Sequence, residues 1–114
     1  GRSGEYAAQV ERFRARYRAR RDALLAGLAA HMPPGCEWTE PAGGYFTWLS
    51  LPEGLDTAAL LGPAEAAGVS YIPGAKFHSD GGGQRRLRLA FSLYAEADLV
   101  EGVRRLADVI AAAR

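Results

Sequence analysis

Arg88 is the residue whose type and placement point most directly to chemistry. In Arg85-Arg86-Leu87-Arg88-Leu89-Ala90-Phe91-Ser92 the strict alternation puts Leu87, Leu89 and Phe91 on one side of an extended strand. Arg86, Arg88, Ala90 and Ser92 fall on the other. A strand this apolar on one side belongs inside a sheet. An arginine in its middle, followed by small residues, then projects over a surface where little competes for space. A guanidinium is always charged and offers paired donors that match a carboxylate. Arg88 therefore reads as a carboxylate fork, the duller alternative being an arginine paired with a structural carboxylate.

The other reactive side chains offer less. Cys36 is the sole cysteine, so no internal disulfide or cysteine metal cluster can form within the chain. His31 and His78 lack ligand spacing and read as surface or packing residues, so no metal site is expected.

The elements that must position Arg88 are those of one modest domain: 114 residues, 48% apolar and 24% charged, the balance of a globular protein. No run approaches the roughly 20 apolar residues of a membrane span, and the N-terminus lacks the apolar core of a signal peptide. A cytoplasmic location without membrane contact is the expectation. The net charge of +1 hides a basic first helix and an acidic remainder. Arg12, Arg14, Arg16 and Arg18 occupy every second position, which spreads them around a helix instead of forming one face for nucleic acid.

From about Glu5 to His31 the positions Tyr6, Val10, Phe13, Tyr17, Leu24 and Leu28 predict an amphipathic helix about 40 Å long, whose stripe must lie on something. Pro33-Pro34-Gly35 ends it. Cys36 to Glu40 and Tyr45 to Leu51 predict a hairpin around Pro41-Ala42-Gly43-Gly44. Its second strand has two apolar faces, with Phe46, Trp48 and Ser50 opposite Tyr45, Thr47, Leu49 and Leu51. Asp56 should cap a helix to about Ala67, closed by Gly68 and kinked or split by Pro63 near Gly62. Val69 to Ile72 predicts a short buried strand ended by Pro73-Gly74. Residues 79 to 83 read as a flexible loop before the Arg88 strand, with Arg85 and Arg86 facing solvent. The last helix, about Ala95 to Ala112, carries Leu99, Val103, Leu106 and Ile110 on one face and Glu96 and Asp98 in its first turn. The order α-β-β-α-β-β-α predicts an α+β fold, with helices packed on a mostly antiparallel sheet of about four strands.

Three segments in this order, Pro41-Ala42-Gly43-Gly44-Tyr45-Phe46-Thr47-Trp48, Gly68-Val69-Ser70-Tyr71-Ile72-Pro73-Gly74 with Phe77, and Leu87 to Ser92, resemble the C-terminal small domain of fold-type I aminotransferases that use pyridoxal phosphate. The likeness covers essentially the whole chain, including Tyr17 to Asp22. It is nearest to the aminoadipate and kynurenine aminotransferases and the aminotransferase-like halves of MocR-type regulators. The resemblance implies that Arg88 pairs with the α-carboxylate of an amino acid or 2-oxo acid substrate, with Phe46 beside the substrate, a core aromatic being the alternative. Gly43 and Gly44 would let backbone approach the substrate entrance, though a plain turn explains them equally well. It also implies that the cofactor lysine and phosphate-binding loop belong to a preceding large domain. Lys76, the only lysine, sits in a Pro-Gly-Ala-Lys-Phe stretch similar to a small-domain loop and reads as solvated. By this reading the chain is a fragment, inactive alone, that binds no pyridoxal phosphate itself, and its parent is a homodimer.

Two other readings stay open. One is the effector-sensing half of a MocR-type regulator, which differs only in what precedes the large domain. The other is an independent module stacking nucleic-acid bases on Phe46 and Trp48. Against the module, the element order is not βαββαβ and no ribonucleoprotein motif is present.

Overall fold

The computed structural model describes residues 2–41, 44–77, 83–91 and 94–114, with backbone alone at 2, 3 and 5. Gly43, His78, the loop at 79–82 and Ser92 therefore lie outside the described residues. The chain runs α1 (Arg2–His31), β1 (Glu37–Trp38), β2 (Phe46–Ser50), α2 (Thr57–Ala66), β3 (Ile72–Pro73), a 3-10 turn (Gly74–Phe77), β4 (Arg86–Ala90) and α3 (Glu96–Ala113). This is the expected α+β order, on one four-stranded antiparallel sheet ordered β1-β2-β4-β3.

Alternation decides the layers. Leu87 and Leu89 of β4, Phe91 just beyond it, and Leu49 and Leu51 of and after β2 all face one side and are buried. Against them pack Leu24 and Leu28 of α1, Ala64 of α2, and Leu99, Val103, Leu106 and Ile110 of α3, making one continuous core. The helices thus occupy one face of the sheet. Among the described residues no helix covers the other face, which carries Phe46, Trp48, Arg86 and Arg88.

Several elements differ from what the sequence suggests. Only the second half of α1 lies on the core: Tyr6 is 69% exposed and Phe13 63%, while Leu28 is fully buried. At 1.5 Å per residue the helix is about 45 Å long, longer than the sheet it rests on, so the first part of its stripe projects past the domain. Pro63 does not split α2, which is continuous from Thr57 to Ala66. Proline removes only its own N–H, its carbonyl still accepts from Ala67 N–H at 3.1 Å, and both Gly62 and Pro63 are exposed, so water can serve the freed Ala59 carbonyl. The strand expected over Val69 to Ile72 begins later and includes Pro73. That is possible because β3 is an edge strand, where a missing donor leaves no ladder bond broken. β1 is two residues long instead of five.

The ends of α2 follow local chemistry. The Asp56 carboxylate accepts from Ala58 N–H at 2.9 Å, satisfying a free donor of the first turn. Gly68 takes φ +90° just after the helix, a conformation few residues other than glycine adopt. Thr57 then ties α2 to the sheet: its hydroxyl donates to the Arg86 carbonyl at 2.8 Å and its amide to the Gln84 carbonyl at 2.7 Å.

Candidate functional site

Arg88 sits in β4, an interior strand, with Trp48 opposite it on β2 and Ile72 opposite it on β3. Residues opposed across an antiparallel pair share a face, so all three stand on the side without helices. The Arg88 guanidinium carbon lies 3.9 Å from the ring centroid of Phe46 and 4.6 Å from that of Phe77. Phe46 comes from β2 and Phe77 from the turn after β3, so the guanidinium is held from both neighbouring strands. Its Nε is buried without a hydrogen-bond partner, and Arg88 makes no ion pair with any described carboxylate. The structural-pair alternative is therefore absent among the described residues. A guanidinium with an enclosed Nε, two rings close by and no internal counter-ion among the described residues suits a planar anion such as a carboxylate.

Of the three residues singled out from sequence, the fold brings Phe46 and Arg88 into contact, and Phe46 remains 42% exposed on the open face. Gly44 lies two residues before Phe46. Its carbonyl accepts a 2.6 Å hydrogen bond from the Tyr17 hydroxyl, and a Cβ placed there would meet nothing within 4 Å. The backbone at Gly44 thus faces open space, with nothing in the chain itself requiring glycine. Arg86 departs from expectation. Instead of facing solvent it lies over Trp48, 4.6 Å from the ring, because alternation places it on the same face as the tryptophan. Arg85 is exposed and 3.6 Å from Glu53, as a solvated arginine should be.

Three supports of the site stand in segments that carry the resemblance, but with no role assigned to them there. Phe77 touches Arg88 and meets Trp48 edge-on, with centroids 5.2 Å apart. Gly74 holds the 3-10 turn down: a Cβ there would come within 2.5 Å of the Gly83 carbonyl and 2.7 Å of the Arg86 carbonyl. Tyr17, one member of the helix stripe, packs its ring on Tyr45 and Phe91 while its hydroxyl holds Gly44. The sequence does not show their partners, which lie on other elements.

Other candidates fall away. Burial pushes the Cys36 thiol up, partly offset by the charge of Arg114, the opposite of an activated thiolate. No group of three metal-ligating side chains exists among the described residues. A groove of about 380 Å³ lies on the helix side, lined by Leu89, Tyr94, Leu99 and Arg105, away from Arg88. Lys76 is exposed on the 3-10 turn.

Residues 2–106 match the family Aminotransferase class I and II. The chain belongs to that family. It is 45% identical over 94 residues to aromatic-amino-acid aminotransferase 1 of Thermococcus litoralis, covering 82% of this chain and 22% of that protein. It is 37% identical over 101 residues to 2-aminoadipate transaminase of Thermus thermophilus, covering 89% of this chain and 25% of that protein. The crystal structure of Pyrococcus horikoshii kynurenine aminotransferase superposes with a TM-score of 0.89 at 37% identity, over 97% of this chain and 28% of that one. The chain spans about a quarter of the length of these relatives. No helix among the described residues is long and apolar enough to cross a membrane.

The cofactor of this family has no cradle among the described residues. The single lysine is exposed on a short turn, and the charged groups described on the open face, Arg86 and Arg88, are cationic.

Proposed function

We propose that this chain is the substrate-carboxylate-binding domain of a pyridoxal-phosphate aminotransferase that moves an amino group between an amino acid and a 2-oxo acid. The observation that carries the reading is the Arg88 guanidinium, held by Phe46 and Phe77 on an open sheet face and matched to no described carboxylate. Family membership supplies the reaction class, and the names of the relatives supply the amino acid character of the substrate.

Bound pyridoxal phosphate supplies the electron sink for such a transfer. What this chain supplies is orientation. The Arg88 fork takes the α-carboxylate of the substrate, and fixing that plane fixes the bonds at the α-carbon. Phe46, partly exposed beside the fork, gives the substrate an apolar wall and keeps water from the ion pair on that side. Because the chain holds no cofactor lysine, the isolated 114 residues are inactive, and the activity belongs to a longer protein in which a cofactor-binding domain closes over this face. The projecting first half of α1, with Tyr6 and Phe13 exposed, gives that domain an apolar surface to pack on. The parent is proposed to be a homodimer.

The test is amino-group transfer by the full-length protein across a panel of amino acids, with Arg88→Lys beside the wild type. Lysine keeps the charge and loses the fork, so about 1.5–3 kcal/mol of charge-assisted hydrogen bonding is at stake, a rise in KM of about 10-fold to 100-fold. The cofactor's absorption should stay unchanged. Unaltered kinetics would remove Arg88 from the site. A full-length protein that transfers no amino group but binds DNA in response to an amino acid would instead be a MocR-type regulator.

A further inference from the structure

We infer that Phe77 is a positioning residue for Arg88, setting the plane in which the fork meets a carboxylate; this rests on the reading of Arg88 as the substrate anchor. Arg88 leaves a β-strand on a long, flexible stem, and stem rotation alone would let the guanidinium tilt through many orientations. Two rings restrict it. Phe46 lies 3.9 Å from the guanidinium carbon and Phe77 4.6 Å; both are partly exposed, at 42% and 44%, and Phe46 has substrate to accommodate. Phe77 is anchored differently. Its ring is braced edge-on by Trp48 at 5.2 Å, and Trp48 is in turn covered by Arg86 at 4.6 Å. Its backbone belongs to a turn that follows directly on β3, where Ile72 opposes Arg88 itself. Gly74 lets that turn press against the Gly83 and Arg86 carbonyls, a fit that no side chain would permit. The result is a chain of contacts from Arg86 through Trp48 and Phe77 to Arg88.

The burial of Nε gives this arrangement a chemical consequence. With Nε enclosed and unpartnered, a carboxylate meets the fork at the two Nη atoms, and the ring of Phe77, 4.6 Å from the guanidinium carbon, limits how that fork can turn. Phe77 acts through Arg88 and need not touch substrate.

The experiment uses the full-length protein with Phe77→Leu, Phe77→Tyr, Arg88→Lys and the Phe77→Leu/Arg88→Lys double variant. Kinetics are measured with L-phenylalanine and with L-2-aminoadipate, together with crystal structures of the wild type and Phe77→Leu. Leucine keeps apolar volume and loses the π-face, and the expected effect is a rise in KM of about tenfold with a smaller change in kcat. Tyrosine, which keeps the face, should restore the wild-type KM. In the Arg88→Lys background the leucine substitution should add little, because there is no planar fork left to aim. The structures should show the guanidinium in one orientation in the wild type and tilted or in several orientations in Phe77→Leu. An unchanged KM, an equal penalty with and without Arg88, or an unmoved guanidinium in Phe77→Leu would each overturn the inference. If Arg88→Lys has no kinetic effect, the anchor reading falls by itself, and the crystal structures still decide whether Phe77 holds the guanidinium.

Discussion

Thr47 and Thr57 are both fully buried, yet the same substitution should move stability in opposite directions. The Thr47 hydroxyl faces the core with no hydrogen-bond partner. The Thr57 hydroxyl donates to the Arg86 carbonyl at 2.8 Å. That carbonyl points away from β2, since the ladder between β2 and β4 uses Arg85 and Leu87 on either side, so Thr57 closes the end of the sheet. Valine has nearly the shape of threonine with a methyl in place of the hydroxyl. In Thr47→Val the desolvation cost of an orphaned hydroxyl disappears, for a gain of about 1–2 kcal/mol. In Thr57→Val a hydrogen bond is lost and a partly buried carbonyl is left without that donor, for a loss of about 1–3 kcal/mol. The two variants should therefore differ by about 2–5 kcal/mol, or roughly 10 °C or more in melting temperature for a domain of this size. Urea titration of the chain followed by tryptophan fluorescence reads the difference, with the half-buried Trp38 and Trp48 as probes. Equal destabilisation by both would mean that Thr47 has a partner and would refute the reasoning.

Tyr71 is buried and donates to the Thr57 carbonyl at 2.6 Å, and burial, with the charges of Asp56 and Glu65, pushes its hydroxyl up to about 12 from 10.0. The stability this contributes is present below pH 10 and is lost as pH rises toward 12, so alkaline unfolding monitored by circular dichroism should soften in Tyr71→Phe. Gly74→Ala must displace backbone carbonyls instead of a side-chain tip, and should cost about 1–3 kcal/mol while loosening the turn that carries Phe77. Slower exchange or unchanged exchange of the β4 amides with deuterium in that variant would count against the close fit.

Much of this site was legible before any fold was known. Alternation alone assigned Arg88 to the face opposite Leu87, Leu89 and Phe91, and the structure buries those three while leaving Arg88 on the open side. Phe46 fell on that same side by the same rule, and Asp56, Gly68 and the Pro33-Pro34-Gly35 stop acted where local chemistry put them. The failures have one origin. Local rules set proline against both β3 and α2, but an edge position tolerates it in one case and an exposed helix face in the other. The stripe of α1 was complete in sequence, yet only its second half meets this domain.

By itself the sequence determined the period of each element, the punctuation between them and the side of the sheet each residue faces, because these depend on neighbours a few residues away. Only the tertiary structure decided which rings stand next to Arg88, which carbonyl receives Tyr17, and which of two buried threonines is satisfied. Those partners are far apart along the chain, and they meet only because the sheet places β4 between β2 and β3 instead of in sequence order. A guanidinium becomes a directed fork when its surroundings remove its other orientations, and those surroundings are supplied by strand order, not by local sequence.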